Sequence, residues 1–128
     1  MLAVGCFWHS YGALVGAHTD LLAAMAQKGA DLVAAGRLTA ETMPELTYPL
    51  ERAQAFVHEA RARARGTPPP SLDALDVLVA RYRDFVDALD RVRRDTRGEA
   101  AREALAEPLA RVEAAADGVR AALRAERR

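Results

Sequence analysis

Apolar residues recur along this chain at alternating spacings of three and four, the signature of helices that each bury one face. The clearest stripe is Leu75, Leu78, Tyr82, Phe85, Leu89 and Val92, with Arg81, Arg83, Asp84, Asp87, Asp90 and Arg91 on the other faces. A second stripe, Leu105, Leu109, Val112, Ala116, Val119 and Leu123, runs to the C-terminus. Leu46, Leu50, Ala53, Phe56, Val57 and Ala60 form a third. Leu14, His18, Leu21, Leu22, Met25, Leu32 and Val33 form a fourth, over residues 10–35.

The punctuation between stripes fixes the element boundaries. Gly36 is placed to end the first helix in the left-handed conformation that a residue without Cβ adopts cheaply. Pro44 and Pro49 interrupt the second helical segment. Proline inside a helix removes a hydrogen bond and crowds the preceding turn, so a short turn near residues 40–43 and a main helix over 49–65 are expected. Gly66 and Pro68-Pro69-Pro70 make a stiff extended turn, and Ser71 reads as an N-cap with Asp73 in the first turn. Gly98 breaks the third helix, and Pro108 kinks the fourth or marks its effective start. Long amphipathic segments joined by short turns predict an all-α fold, an elongated up-down antiparallel four-helix bundle with its second and fourth helices kinked or split at prolines. A helix of about 26 residues is about 40 Å long.

The length of 128 residues suits a single domain that buries one continuous core. Its 18 basic and 18 acidic residues cancel, so no long-range field draws nucleic acid, and no nucleic-acid partner is expected. Charge is unevenly placed, however, and no Asp, Glu, Lys or Arg precedes Asp20. His9, Ser10, Tyr11, His18 and Thr19 make that uncharged stretch too polar for a membrane span. Phe7, Trp8 and Tyr11 suit either an interface or the core.

The N-terminal run Leu2-Ala3-Val4-Gly5-Cys6 ends at the chain's one cysteine and resembles a bacterial lipobox. Val4 and Gly5 match the two positions nearest the cysteine, whereas Ala3 stands where Leu, Val or Ile is preferred. The resemblance implies a thioether-linked diacylglycerol on Cys6, usually with an amide-linked acyl chain. Residues 1–9 would then be a tether or signal remnant and residues 10–128 a helical-bundle domain on the periplasmic side of a bacterial cell envelope. With Met1 as the true start, Cys6 is instead a small buried hydrophobe and the protein an untethered cytoplasmic bundle.

Catalytic and cofactor signatures are missing. Ser10 and Ser71 lie in no nucleophile elbow, and no phosphate loop, zinc-protease or haem-attachment motif occurs. Cys6 and His9 lack an orienting third group for thiol chemistry. As metal ligands Cys6, His9 and His58 are weak candidates: nine residues along one helix put His9 and His18 on opposite faces, and lipidation would remove the thiolate from a Cys6–His9 pair. Met25, Met43 and His58 are conceivable ligands for a non-covalent haem, but no cofactor is expected. Gly12 and Gly16 read as a small-residue pair that lets another helix of the bundle approach. Arg61, Arg63 and Arg65, with Arg124, Arg127 and Arg128, read as solvated cations at helix C-termini. The expected function is non-enzymatic: a lipid-anchored envelope protein that binds a partner through a helix face, spaces structures or scaffolds them. The alternatives are an untethered homodimer or adaptor and a small-ligand or metal carrier in the bundle core.

Overall fold

The computed structural model describes residues 2–127, with side chains from residue 7 onward. Helix α1 spans Leu2–Ala34, α2 Met43–Arg63, α3 Pro70–Asp95 and α4 Gly98–Glu126. The chain reverses between successive helices, which gives the up-down four-helix bundle that the stripes predict. Successive helices touch, α4 closes onto α1, and α1 also meets α3, whereas α2 and α4 do not meet. The cross-section is therefore a rhombus with α1 and α3 on its short diagonal.

The core follows the stripes on three helices. In α3, Leu72, Leu75, Leu78, Val79, Tyr82, Phe85, Val86 and Leu89 are buried, and α4 contributes Ala101, Leu105, Val112, Ala116, Val119 and Leu123. Helix α2 buries Leu46, Pro49, Leu50, Ala53, Phe56, Val57 and Ala60.

Helix α1 turns a different face inward from the one its large residues suggest. Tyr11, Val15, Thr19, Leu22, Ala26, Ala30 and Val33 are buried, while Leu14 and Leu21 are 38% and 46% exposed. The reason is the short diagonal: a helix that must meet three others does so best along its small side chains. Gly29 marks the closest approach, since a Cβ there would lie 2.7 Å from Leu89 Cδ1 and 3.5 Å from Phe85 Cε2. Gly12 and Gly16, expected to serve this purpose, have nothing within 4 Å of an added Cβ. Thr19 satisfies its buried hydroxyl by donating to Val15 O at 2.8 Å.

The helix ends also differ in part from expectation. Helix α1 starts at Leu2 rather than near residue 10, so residues 2–9 are helical. At its other end Gly36 adopts φ +69°, with Gly36 N donating to Val33 O and Arg37 N to Leu32 O, a Schellman closure. Neither interior proline divides its helix. Pro44 sits in the first turn of α2, where its N–H would have no partner anyway. Pro49, one turn further in, denies a donor to Glu45 O, yet its ring adds to the buried stripe. Beside it, Tyr82 Oη donates to Leu46 O at 2.7 Å. Pro108 likewise lies within a continuous α4 that begins at Gly98.

Candidate functional site

Three of the large apolar residues left exposed, Leu14, Leu21 and Tyr48, converge on one open groove between α1 and α2. Its volume is about 390 Å³, and Leu14, Ala17, His18, Leu21, Tyr48, Pro49 and Arg52 line it. The four α1 residues follow the 0, 3, 4, 7 spacing of a helix seam, although no helix of the bundle covers them. The Lys28–Glu45 ion pair, 3.7 Å long, bridges the same two helices beyond Leu21. On the other side of the groove stand the rings of Phe56, Tyr11 and Phe7, with His18 and Phe56 centroids 5.0 Å apart.

Arg52 is the one formally charged residue in the lining. Its guanidinium lies 5.8 Å from the Tyr48 ring centroid, Nη1 donates to Tyr48 Oη at 3.2 Å, and it has no ion-pair partner among the described residues. Half-burial and the neighbouring Arg52 charge both hold the His18 pKa below its ordinary value. The folded protein therefore binds fewer protons than the unfolded chain once the pH drops under about 6.5. This stability is complete above that value and is lost as pH falls through the folded pKa. The melting temperature should decline between pH 7.5 and 5.5, and His18→Gln should flatten the decline. Equal slopes for the two proteins would show that His18 is not desolvated.

The second notable place is the bundle end that gathers the start of α1, the end of α2, the start of α3 and the end of α4. Ser71, the second residue of α3 rather than its N-cap, joins them. Its N–H and hydroxyl donate to the Glu126 carboxylate at 2.7 Å each. With that hydroxyl proton committed, Tyr11 Oη is the donor in the 2.8 Å bond to Ser71 Oγ. Burial is the main cause that raises the Tyr11 pKa, and the nearby Glu126 and Asp73 charges reinforce it. Ser71 is fully buried, so this chain of bonds is a tie between helices rather than an exposed nucleophile.

Around the tie, Arg61 bonds Asp73 and Asp76 at 3.1 and 3.0 Å and Arg63 bonds Glu59 at 2.7 Å while lying 4.9 Å from the Phe7 ring centroid. Arg61 thus links α2 to α3 while its side chain remains exposed to solvent. Arg65, Arg124 and Arg127 are exposed, without an ion-pair partner among the described residues. Tyr11 Oη bonds Ser71 in the first turn of α3, so the turns of α1 that precede Tyr11 form an overhang toward this end of the bundle, with Phe7 and Trp8 still packed against the core.

None of the protein-family models, curated proteins or solved structures compared with the chain matches it.

The residues singled out in the sequence do not assemble into one site. The side chain of Cys6 lies outside the described residues. His9 and His58 are exposed on α1 and α2, and among the described residues no three His, Cys, Asp or Glu side chains come together as metal ligands would. Met25 and Met43 pack against the core. Sequence reasoning missed the groove. Its signal was a surplus: α1 has more apolar positions than one face holds, and Leu14 and Leu21 are the remainder.

Proposed function

We propose that the protein is a non-enzymatic helical bundle held at a bacterial membrane surface by a lipid on Cys6, acting on the periplasmic side as a binding or spacer element. The observation that carries this reading is the end at which the overhang of α1 emerges. That overhang contains the lipobox-like Leu2-Ala3-Val4-Gly5-Cys6 and no Asp, Glu, Lys or Arg, while the half-buried Trp8 and the exposed Arg65, Arg124 and Arg127 lie toward the same end of the bundle. Aromatic and basic side chains of this kind favour the boundary between hydrocarbon and water. A lipid at Cys6 would bring this end, and no other, against the headgroups.

No helix is long and apolar enough to cross a membrane among the described residues. A lipid anchor needs none. Each buried methylene contributes about 0.8 kcal/mol, so two or three acyl chains hold a protein that one chain holds only marginally.

The test is expression from the native locus, followed by detergent-phase partitioning and intact mass. A chain beginning at Cys6 with diacylglyceryl and acyl mass is expected in the detergent phase, and Cys6→Ser should move the protein to the aqueous phase. Unmodified wild-type protein in the aqueous phase overturns the anchor.

A further inference from the structure

We infer that the α1–α2 groove is a docking site for an amphipathic helix of another protein that carries a carboxylate toward Arg52. The surface has the form of a helix interface with one helix missing. Leu14, Ala17, His18 and Leu21 present a two-turn seam, about 10 Å from Leu14 to Leu21 at 1.5 Å per residue. Tyr48, Pro49 and Arg52 form the opposite wall, one turn of α2. Helix α2 leans on α1 and α3 alone, having no contact with α4, so a fifth helix can lie along the α1–α2 seam without displacing any packed element. Helix-in-groove recognition uses apolar anchors one and two turns apart, which this spacing accommodates.

Charge selects the occupant. The lining contains one cation and no acid, and the exposed guanidinium of Arg52 has the Tyr48 phenol as its only side-chain partner among the described residues. A glutamate or aspartate on the incoming helix gives Arg52 the bidentate partner that the bundle does not. The lowered His18 pKa leaves the imidazole neutral at pH 7, so Arg52 is the point of charge recognition. A second copy of this chain fits less well, because two copies of this lining set face to face supply two arginines and no carboxylate. This inference is independent of the lipid on Cys6 and is tested on soluble Cys6→Ser protein.

The probe is a synthetic helical peptide of about 14 residues, four turns, with leucines one and two turns apart and a glutamate flanking them, followed by fluorescence anisotropy. Versions with glutamine or arginine in place of the glutamate serve as comparisons. Micromolar binding is expected, weakened at least roughly tenfold, equivalent to about 1.4 kcal/mol, by the glutamine peptide, by Leu21→Glu and by Arg52→Glu. Arg52→Glu should instead prefer the arginine peptide. Val77→Glu, on an exposed apolar position of α3, should leave binding unchanged, and circular dichroism confirms that each variant folds. No binding at millimolar peptide, or binding indifferent to Arg52, overturns the inference. So does a dimer in sedimentation that Leu21→Glu dissolves, which would assign the groove to a second copy.

Discussion

Truncating Phe85 to alanine is expected to cost the bundle about 3 to 5 kcal/mol, a large share of the net stability of a domain this size. Phe85 is fully buried on α3, its centroid 6.5 Å from that of Tyr82, and it faces Gly29 across the short diagonal of the rhombus. Removing a ring there forfeits its transfer free energy and leaves a void that cannot readily close. The α1 backbone is already as near as Gly29 permits, and Leu89 fills the adjacent space. The expected reading is a urea midpoint shifted sharply down with little change in slope, together with a melting temperature lower by roughly 10 to 20 °C. A loss below about 1 kcal/mol would mean that α1 and α3 do not form the packed diagonal.

The next largest effect is expected from deleting one oxygen. Tyr82→Phe keeps the ring but removes the hydroxyl that donates to Leu46 O at 2.7 Å, in a place where no water replaces it cheaply. Burial pushes the Tyr82 pKa far up, so the phenol remains a donor throughout the pH range in which the protein is folded. Leaving a buried carbonyl with one fewer partner costs about 1 to 3 kcal/mol. The pairing with Pro49 provides a sharper check. If the hydroxyl matters because proline weakens the backbone ladder of α2, then Pro49→Ala, which restores the N–H opposite Glu45 O, should reduce the cost of Tyr82→Phe in a double-mutant cycle. Costs that add independently would separate the hydroxyl from the proline.

Much of this architecture was legible from spacing alone. The stripes of α3 and α4 name the centre of each buried face, because each helix has one apolar face and charged residues on the rest; Leu72, Val79, Val86 and Ala101, which widen those faces, stand outside the stripes, and Val92 and Leu109 within them are only partly buried. The misses have physical causes. Periodicity ranks faces by hydrophobicity, whereas α1 is packed by size: its smaller face goes inward so that Leu89 and Phe85 can approach Gly29. The two-glycine pattern at Gly12 and Gly16 marked a surface that no helix of the bundle uses.

Proline rules misplaced the start of α2 because they count the lost hydrogen bond locally. They do not see that the proline ring is buried in the core stripe and that a tyrosine hydroxyl from α3 bonds the neighbouring carbonyl of Leu46. Ser71 looked like a local cap, but its partner is Glu126, 55 residues away. Arg61 likewise found its carboxylates on another helix. Distant partners of this sort have no short-range sequence signal. The candidate groove was hidden for a similar reason: an unmatched pair of leucines becomes visible only once every other apolar side chain has been assigned a neighbour.

Isolated helix ends ordinarily fray, each opening and closing by itself on a timescale far shorter than global unfolding. The bonds among Tyr11, Ser71 and Glu126 remove that independence. When the last turn of α4 unwinds, the first turn of α3 loses its carboxylate and Tyr11 loses the orientation of its acceptor. The end of α4, the start of α3 and the turn of α1 around Tyr11 are therefore expected to open as one cooperative unit, their backbone amides exchanging with solvent together. The bundle has one stiffened end, and it is the end through which anything attached to α1 would transmit force.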